Sequence, residues 1–300
     1  MRRAYNNNYS VLPFYTDIQM QYRHLTYSFG SVYPLYVPKG MRPCFQIVVP
    51  VASGDELMQS SDLTFYLMDK NDNYVSFHTG TGAAASTISM YDDIDTFYDA
   101  QNGCVVIIGY GEYDHSASGA TDTQILPLGT YYIKLVDSHN DRTYFSEFFT
   151  AVDFINNWTR VEWRCLDDIN TDSGKIYYSI PQAGEENRPF RNVVHLLTQL
   201  GKPDYQFDEE GENRDGHFFP TKQVSYKKYK AVFDAPEYLL DVMRLIRLAD
   251  IVTITDPYGT AFPADTFLIT PQWADQGDLA TVTLEMTSNT VVKRCGKAIS

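Results

Sequence analysis

Several groups of residues in this chain could bind a metal ion or do catalysis, and their spacing decides whether they do. The densest acidic stretch is Asp208 to Gly216 ("DEEGENRDG"), which holds five carboxylates in nine residues. Hard cations need clustered oxygen ligands, but the order of an EF-hand loop and its glutamate at position twelve are missing here. We therefore interpret the stretch as a solvated turn.

A second stretch, Asp69 to Asn73 ("DKNDN"), matches the first five positions of such a calcium loop. However, Tyr74 stands where the sharp turn needs glycine, and Gly80 stands where the bidentate glutamate is needed. Asparagine and aspartate favour tight turns, so we predict a β-hairpin turn instead.

The stretch Gly80 to Ala85 ("GTGAAA") matches the loose form of the dinucleotide-binding fingerprint. That fingerprint requires a helix start after the glycines, within a β-α-β unit, to hold the pyrophosphate. No such pattern surrounds it, and no G-K-[ST] follows any glycine-rich run, so we predict a loop.

Histidine, cysteine and serine also lack the spacing of known sites. The histidines show no H-x-x-x-H pair, the cysteines no C-x-x-C pair, and the serines no G-x-S-x-G turn. The residues concerned are His24, His78, His115, His139, His195 and His217, and Cys44, Cys104, Cys165 and Cys295. We predict free thiols, no catalytic, cofactor-binding or metal-binding residue, no cofactor, and no enzyme; a glycosidase carboxylate pair stays open as an alternative.

Composition narrows the classes of partner. A net charge of -14 repels a polyphosphate backbone, so we expect no nucleic-acid binding. There is no apolar run of about eighteen residues, and the start "MRRAYNNNYSVLPFY" lacks a secretory apolar segment, so we expect no membrane span and no secretory signal. The 23 tyrosines and 17 phenylalanines favour strands and partner contacts.

Short strands with polar turns predict the architecture of residues 1–152. "GCVVIIGYG" reads as a buried strand, and "YYIKLVDSHNDRTYFSEFF" as a hairpin with its turn at Ser138 to Asp141. At least six such strands and no clear helix predict a mostly β protein with an N-terminal immunoglobulin-like β-sandwich.

Residues 153–300 are predicted to form a second domain of α+β type, rich in strands and with one main helix near residues 235–249. Asp234 is the expected N-cap, Pro236 falls in the first turn, and Leu239, Val242, Met243 and Ile246 share one face. A turn at Asp256 to Gly259 and the alternating "LATVTLEMTS" predict strands after the helix.

Four stretches of the second domain resemble uncharacterised virion proteins, of tail-tip or baseplate type, encoded by phages and prophages of gut Bacteroidota. They are "LGKPDYQFDEEGENRDGHFFPTKQ", "DAPEYLLDVMRLIRLAD", "ITDPYG" and "FLITPQWADQGDLATVTLEM", and the likeness extends to "GTYYIKL" and "TYFSEFF" in the first domain. The resemblance implies a non-enzymatic structural protein of the phage tail, made in the bacterial host cytoplasm. Its implied partners are other tail or neck proteins and further copies of itself in a ring.

Two hypotheses about surfaces accompany this expectation. The alternative function is a carbohydrate- or receptor-binding module, in which Tyr110, Tyr113 and Trp273 would stack on a host glycan. For assembly, the acidic stretch from Asp208 and the basic tail of Lys293, Arg294 and Lys297 could steer neighbouring subunits into register.

Overall fold

The computed structural model of this chain describes residues 10–15, 35–38, 43–51, 62–75, 78–79, 86–87, 94–100, 103–109, 128–153, 158–166, 179–180, 188–273 and 279–294. The predictions for Gly80 to Ala85, Tyr110, Tyr113, Cys295 and Lys297 therefore lie outside the described residues.

The described residues are mostly β, as predicted. The strands are β1 Phe14–Tyr15, β2 Tyr36–Pro38, β3 Phe45–Pro50, β4 Leu63–Asp69, β5 His78–Thr79, β6 Ser86–Thr87, β7 Ile94–Asp99, β8 Cys104–Gly109, β9 Gly129–Asp137, β10 Arg142–Ser146, β11 Phe149–Val152, β12 Thr159–Arg164, β13 Ser179–Ile180, β14 Arg188–Pro189, β15 Asn192–Leu196, β16 Asp204–Arg214, β17 His217–Pro236, β18 Ile251–Thr255, β19 Ala261–Pro263, β20 Thr266–Trp273 and β21 Leu279–Arg294. The helix α1 is Glu237–Met243, and a 3-10 turn follows at Arg244–Leu248.

The largest sheet has ten strands in the order β1-β10-β9-β11-β2-β15-β12-β18-β19, with β4 pairing along β9. Only the pair β11 and β2 runs parallel among the pairs described for this sheet. The sheet continues past residue 152, because His195 of β15 lies opposite Tyr36 of β2. The division into two domains at that residue stays a prediction.

A three-stranded sheet, β3-β8-β7, packs on the first half of the large sheet. Phe45 of β3 contacts Phe65 of β4 with ring centroids 6.0 Å apart, and both belong to one continuous hydrophobic core. Every residue of β8 is buried, as its uninterrupted β-branched run predicts. Two facing sheets are compatible with a sandwich, and the immunoglobulin-like topology stays a prediction.

The predicted hairpin of β9 and β10 is confirmed. Tyr131, Ile133 and Leu135 are buried on one side of β9, and the chain reverses between Asp137 and Arg142. The Asp137 carboxylate accepts the backbone N–H of His139 at 3.0 Å and thereby closes the turn.

The predicted helix is confirmed as α1 and the 3-10 turn that follows it, but its predicted cap and the predicted place of Pro236 in its first turn are wrong. Asp234 lies in β17, where its carboxylate accepts the hydroxyl of Thr281 at 2.8 Å. Pro236 is the extended residue before the helix, and no side chain caps the N-terminus. Proline fits there because it has no N–H to satisfy. The apolar face is buried as expected, at Leu239, Val242, Met243 and Ile246.

The remaining large element is a four-stranded antiparallel sheet in the order β16-β17-β21-β20. The acidic stretch from Asp208 lies mostly within its strand β16, so our interpretation of the whole stretch as a solvated turn is wrong. The turn is only Asp215 and Gly216, both with positive φ. Two consecutive positive φ angles are typical of the type I′ turn of a two-residue hairpin.

No helix in the described part of the chain is long and apolar enough to cross a bilayer.

Candidate interaction surface

The hairpin of β16 and β17 extends away from the hydrophobic core as an arm. We define the arm as residues 204–230 together with residues 291–294 of β21. No residue from 201 to 230 whose exposure is described is buried. From Ala231 onward, β17 alternates buried residues that pair with the buried Leu284, Val282 and Ala280 of β21. The arm is therefore an extension of a sheet whose other half is part of the core.

Large apolar side chains lie exposed along the arm. Tyr205 and Phe207 of β16 are 76% and 59% exposed, and Val291 of β21 is 65% exposed. Strand alternation places these three on the same face, because Phe207 and Val291 both pair with Ser225. Phe218 and Phe219 are also exposed and, as neighbours along β17, point to opposite faces. Both faces of the arm thus present apolar surface.

Charge is divided between the strands of the arm. The edge strand β16 carries Asp204, Asp208, Glu209, Glu210 and Glu212, and the central strand β17 carries Lys222, Lys227, Lys228 and Lys230. Cross-strand contacts link them: Lys222 Nζ lies 2.9 Å from Glu210 Oε1, and Gln223 Nε2 donates to Glu209 Oε1 at 2.5 Å. Such exposed pairs contribute little to stability, about 0–1 kcal/mol each.

Two irregularities shape the arm. The register of β16 and β17 shifts between Glu210 and Gly211, and the register of β17 and β21 shifts where Asn289 has a positive φ of 55°. Bulges increase local twist and bend the strand. Beside the second bulge, Asp265 Oδ2 accepts both the backbone N–H and the hydroxyl of Thr290, at 3.0 and 2.6 Å. This contact fastens the base of the arm to the loop before β20.

A cleft of about 680 Å³ lies between the 3-10 turn and the β19–β20 connection. Asp250 and Asp265 line it beside Arg247. Asp250 Oδ2 already accepts the backbone N–H of Leu166 at 2.7 Å, and Asp265 holds Thr290. The carboxylates of this cleft therefore serve the fold.

The predicted hairpin turn at Asp69 is confirmed. Its carboxylate accepts the backbone N–H groups of Asn71 and Asn73 at 2.7 and 2.9 Å, and the side-chain amide of Asn73 at 3.0 Å. The turn thus uses the oxygens that a calcium ion would need. Within the described residues, no group of three or more histidine, cysteine or carboxylate side chains is placed to hold a metal ion.

His24, His115 and Cys295 lie outside the described residues, and the other histidines and cysteines lie at separate places in the described fold. Cys44, Cys104 and Cys165 form no disulfide among the described residues, as predicted, and all three are buried. His195 is buried in β15 directly opposite Arg160 of β12. Burial, together with the Arg160 charge, lowers the pKa of His195 to about 3. The ring is therefore neutral at physiological pH and packs as part of the sheet.

Trp273 ends β20 opposite the buried Ala280 and is 47% exposed. It is accessible to a ligand, as the carbohydrate-binding alternative requires.

The apolar residues of the arm were not singled out from the sequence. A strand exposed on both faces lacks the apolar and polar alternation that marks a half-buried strand. A local signal did exist: Tyr205 and Phe207 alternate with Gln206 and Asp208 immediately before the acidic run. The acidic run that follows predicts a loop instead, because clustered charge is more typical of loops.

No model of a known protein family matches this chain, and no curated protein matches it in sequence.

Proposed function

We propose that this chain is a non-enzymatic structural protein of a phage virion, a tail, tail-tip or baseplate component made in the host cytoplasm. In this role it assembles with copies of itself and with other tail proteins. The observation that supports assembly is the arm, a sheet extension that exposes aromatic and aliphatic side chains on both faces.

Exposed apolar surface favours assembly, because its removal from water at an interface lowers the free energy. Moving one large apolar side chain out of water contributes about 1.5–3 kcal/mol. A contiguous set of such residues is typical of an interface and not of an isolated subunit's surface. Tyr205 also has Lys227 Nζ 6.0 Å from its ring centroid, so the patch combines aromatic and cationic groups.

The assembly function is tested by replacing Tyr205 and Phe207 together with serine. We expect the oligomer measured by light scattering coupled to size-exclusion chromatography to dissociate. The thermal unfolding midpoints, compared at a dilution at which both proteins are monomeric, should be equal because neither residue is buried. Tyr258→Ser is the matched control, since Tyr258 is 83% exposed on the turn between β18 and β19. The same oligomer mass in the unmodified chain, the double variant and Tyr258→Ser would contradict the role of the arm in assembly.

The virion assignment is tested by immunogold electron microscopy of particles from the source, with antibody against this chain. Gold at one end of the tail is the expected result. Gold on capsids would contradict the tail assignment, and particles without any label would contradict a virion role altogether.

The second candidate function is a carbohydrate-binding module, and the exposure of Trp273 is the observation in its favour. An exposed indole offers a flat apolar surface on which a sugar ring can stack. This function predicts glycan-array binding that is lost in Trp273→Ala, and a protein with no glycan binding would rule it out.

A further inference from the structure

We propose that the partner of the arm is a second copy of this chain, which pairs edge to edge with it. The edge of β16 in one copy joins the far end of β21, residues 291–294, in the next copy, with the two strands parallel and without any shift. This inference rests on the proposed assembly function and adds the partner, the contact strands and the register.

The topology leaves two sheet edges on the arm. β16 is the first strand of its sheet and pairs only with β17 among the described residues. β20 pairs with β21 only as far as Thr287, so in the described part of the chain residues 291–294 have β17 on one side and no strand on the other. Unpaired edges offer backbone N–H and C=O groups that a further strand can bind.

The two edges carry complementary side chains in the same rows. Glu209 pairs with Gln223, and Gln223 pairs with Lys293, so an acid at one edge lines up with a base at the other. Two rows along, on the same face of the sheet, Phe207 lines up with Val291; in the row between them, on the other face, Asp208 lines up with Val292.

The row next to that of Glu209 also places an acid at one edge and a base at the other. Glu210 pairs with Lys222, and Lys222 lies opposite the backbone position of Arg294.

If a second copy is placed beside the first in the plane of the sheet, with its rows in line, β16 of one copy lies next to residues 291–294 of the other. Lys293 of the next copy would lie beside Glu209, and Val291 of the next copy would lie beside Phe207. Opposite charges and apolar pairs on directly neighbouring strands each contribute about 0.2–1 kcal/mol. Glu209 and Lys293 are both exposed, as this contact requires.

Charge also disfavours the symmetric alternative. Pairing β16 with β16 of a second copy would place two acidic strands side by side, and like charges directly opposite each other destabilise a sheet. The acidic run from Asp208 to Glu212 thus disfavours pairing between two β16 strands, while it favours pairing of β16 with a basic strand.

A pair of engineered cysteines, Glu209→Cys with Lys293→Cys, tests this register. Neighbouring strands are about 4.8 Å apart, within the Cα range of a disulfide, whereas β17 separates the two positions within one copy by about 9.6 Å. A bond between them must therefore join two copies. Mild oxidation of the full-length protein, in a Cys295→Ser background, is expected to give a ladder of covalent oligomers on non-reducing gels.

The matched control is Glu210→Cys with Lys293→Cys, whose side chains point to opposite faces of the sheet. It is expected to stay largely monomeric on the same gels. Equal ladders from both pairs, or no ladder from the first pair, would overturn the proposed register.

Charge reversal provides a second, independent measurement. Glu209→Lys alone and Lys293→Glu alone are each expected to weaken the oligomer severalfold, because each replaces an attraction across the edge with a repulsion of similar size. An equimolar mixture, in which the two variants can alternate, is expected to restore it. A native oligomer that neither variant weakens would overturn this inference and leave the proposed assembly function intact. A chain that stays monomeric and labels no particle would overturn both.

Discussion

At the scale of single residues, the buried His195 gives the chain a measurable dependence on pH. Its pKa is about 3 in the folded chain and near 6.5 in an unfolded one, because burial beside Arg160 disfavours the charged ring. Between these values the unfolded chain binds a proton that the folded chain does not. The free energy of unfolding therefore falls as the pH falls from about 6.5 toward 3, by at most about 1.4 kcal/mol per pH unit from this residue.

His195→Gln removes this proton-binding group, so we expect urea unfolding between pH 7 and pH 5 to show a shallower loss of stability than in the unmodified chain. The slopes are compared and not the absolute stabilities, because the glutamine also changes the packing. His139→Gln is the control, since His139 lies exposed in the β9–β10 turn. Identical slopes in the unmodified chain and His195→Gln would contradict the assignment.

Some side-chain positions in this chain can be predicted from the sequence and others cannot. The shared face of Tyr131, Ile133 and Leu135 can be predicted, because alternation along a strand is a local property of the chain. The burial of His195 opposite Arg160 depends on strands that are 35 residues apart in sequence, and such pairing leaves no local pattern.

At the scale of elements, turns and apolar runs were predictable, and the arm was not. The turn at Asp69, the buried strand β8 and the helix α1 each follow from composition over about ten residues. β16 is different, because its structure comes from pairing with β17 and not from a buried face. A solvated turn was the natural interpretation of its acidic half, and only the backbone ladder makes it a strand.

The arm as an element can be perturbed separately from the core. A Cβ atom on Gly211 would collide with the backbone carbonyl oxygen of Phe219, at the bulge between β16 and β17. We expect Gly211→Ala to loosen the arm, seen as faster hydrogen exchange of the β16 and β17 amides, and to weaken the oligomer. The thermal midpoint of the monomer, measured at high dilution, should move by less than about 2 °C, because no residue of β16 belongs to the hydrophobic core.

Asn213→Ala is the matched control for this change, since Asn213 is exposed on the same strand. It should leave exchange and assembly unaltered. A large drop in the thermal midpoint of Gly211→Ala would mean that the arm stabilises the core, contrary to the view of it as a separate interaction element.

At the scale of the whole molecule, the two unlike edges of the arm determine how copies can combine. A contact between different surfaces is heterologous, so each copy uses one edge for each neighbour, and the assembly ends only if it closes into a ring. Two copies would contribute six arm strands, fewer than the eight or so that close a barrel around packed side chains. We therefore expect native mass spectrometry to show a discrete species of at least three 34.2 kDa copies. A stable two-fold dimer as the end state would contradict the edge-to-edge arrangement, because a dimer of this kind uses one self-complementary surface on both copies.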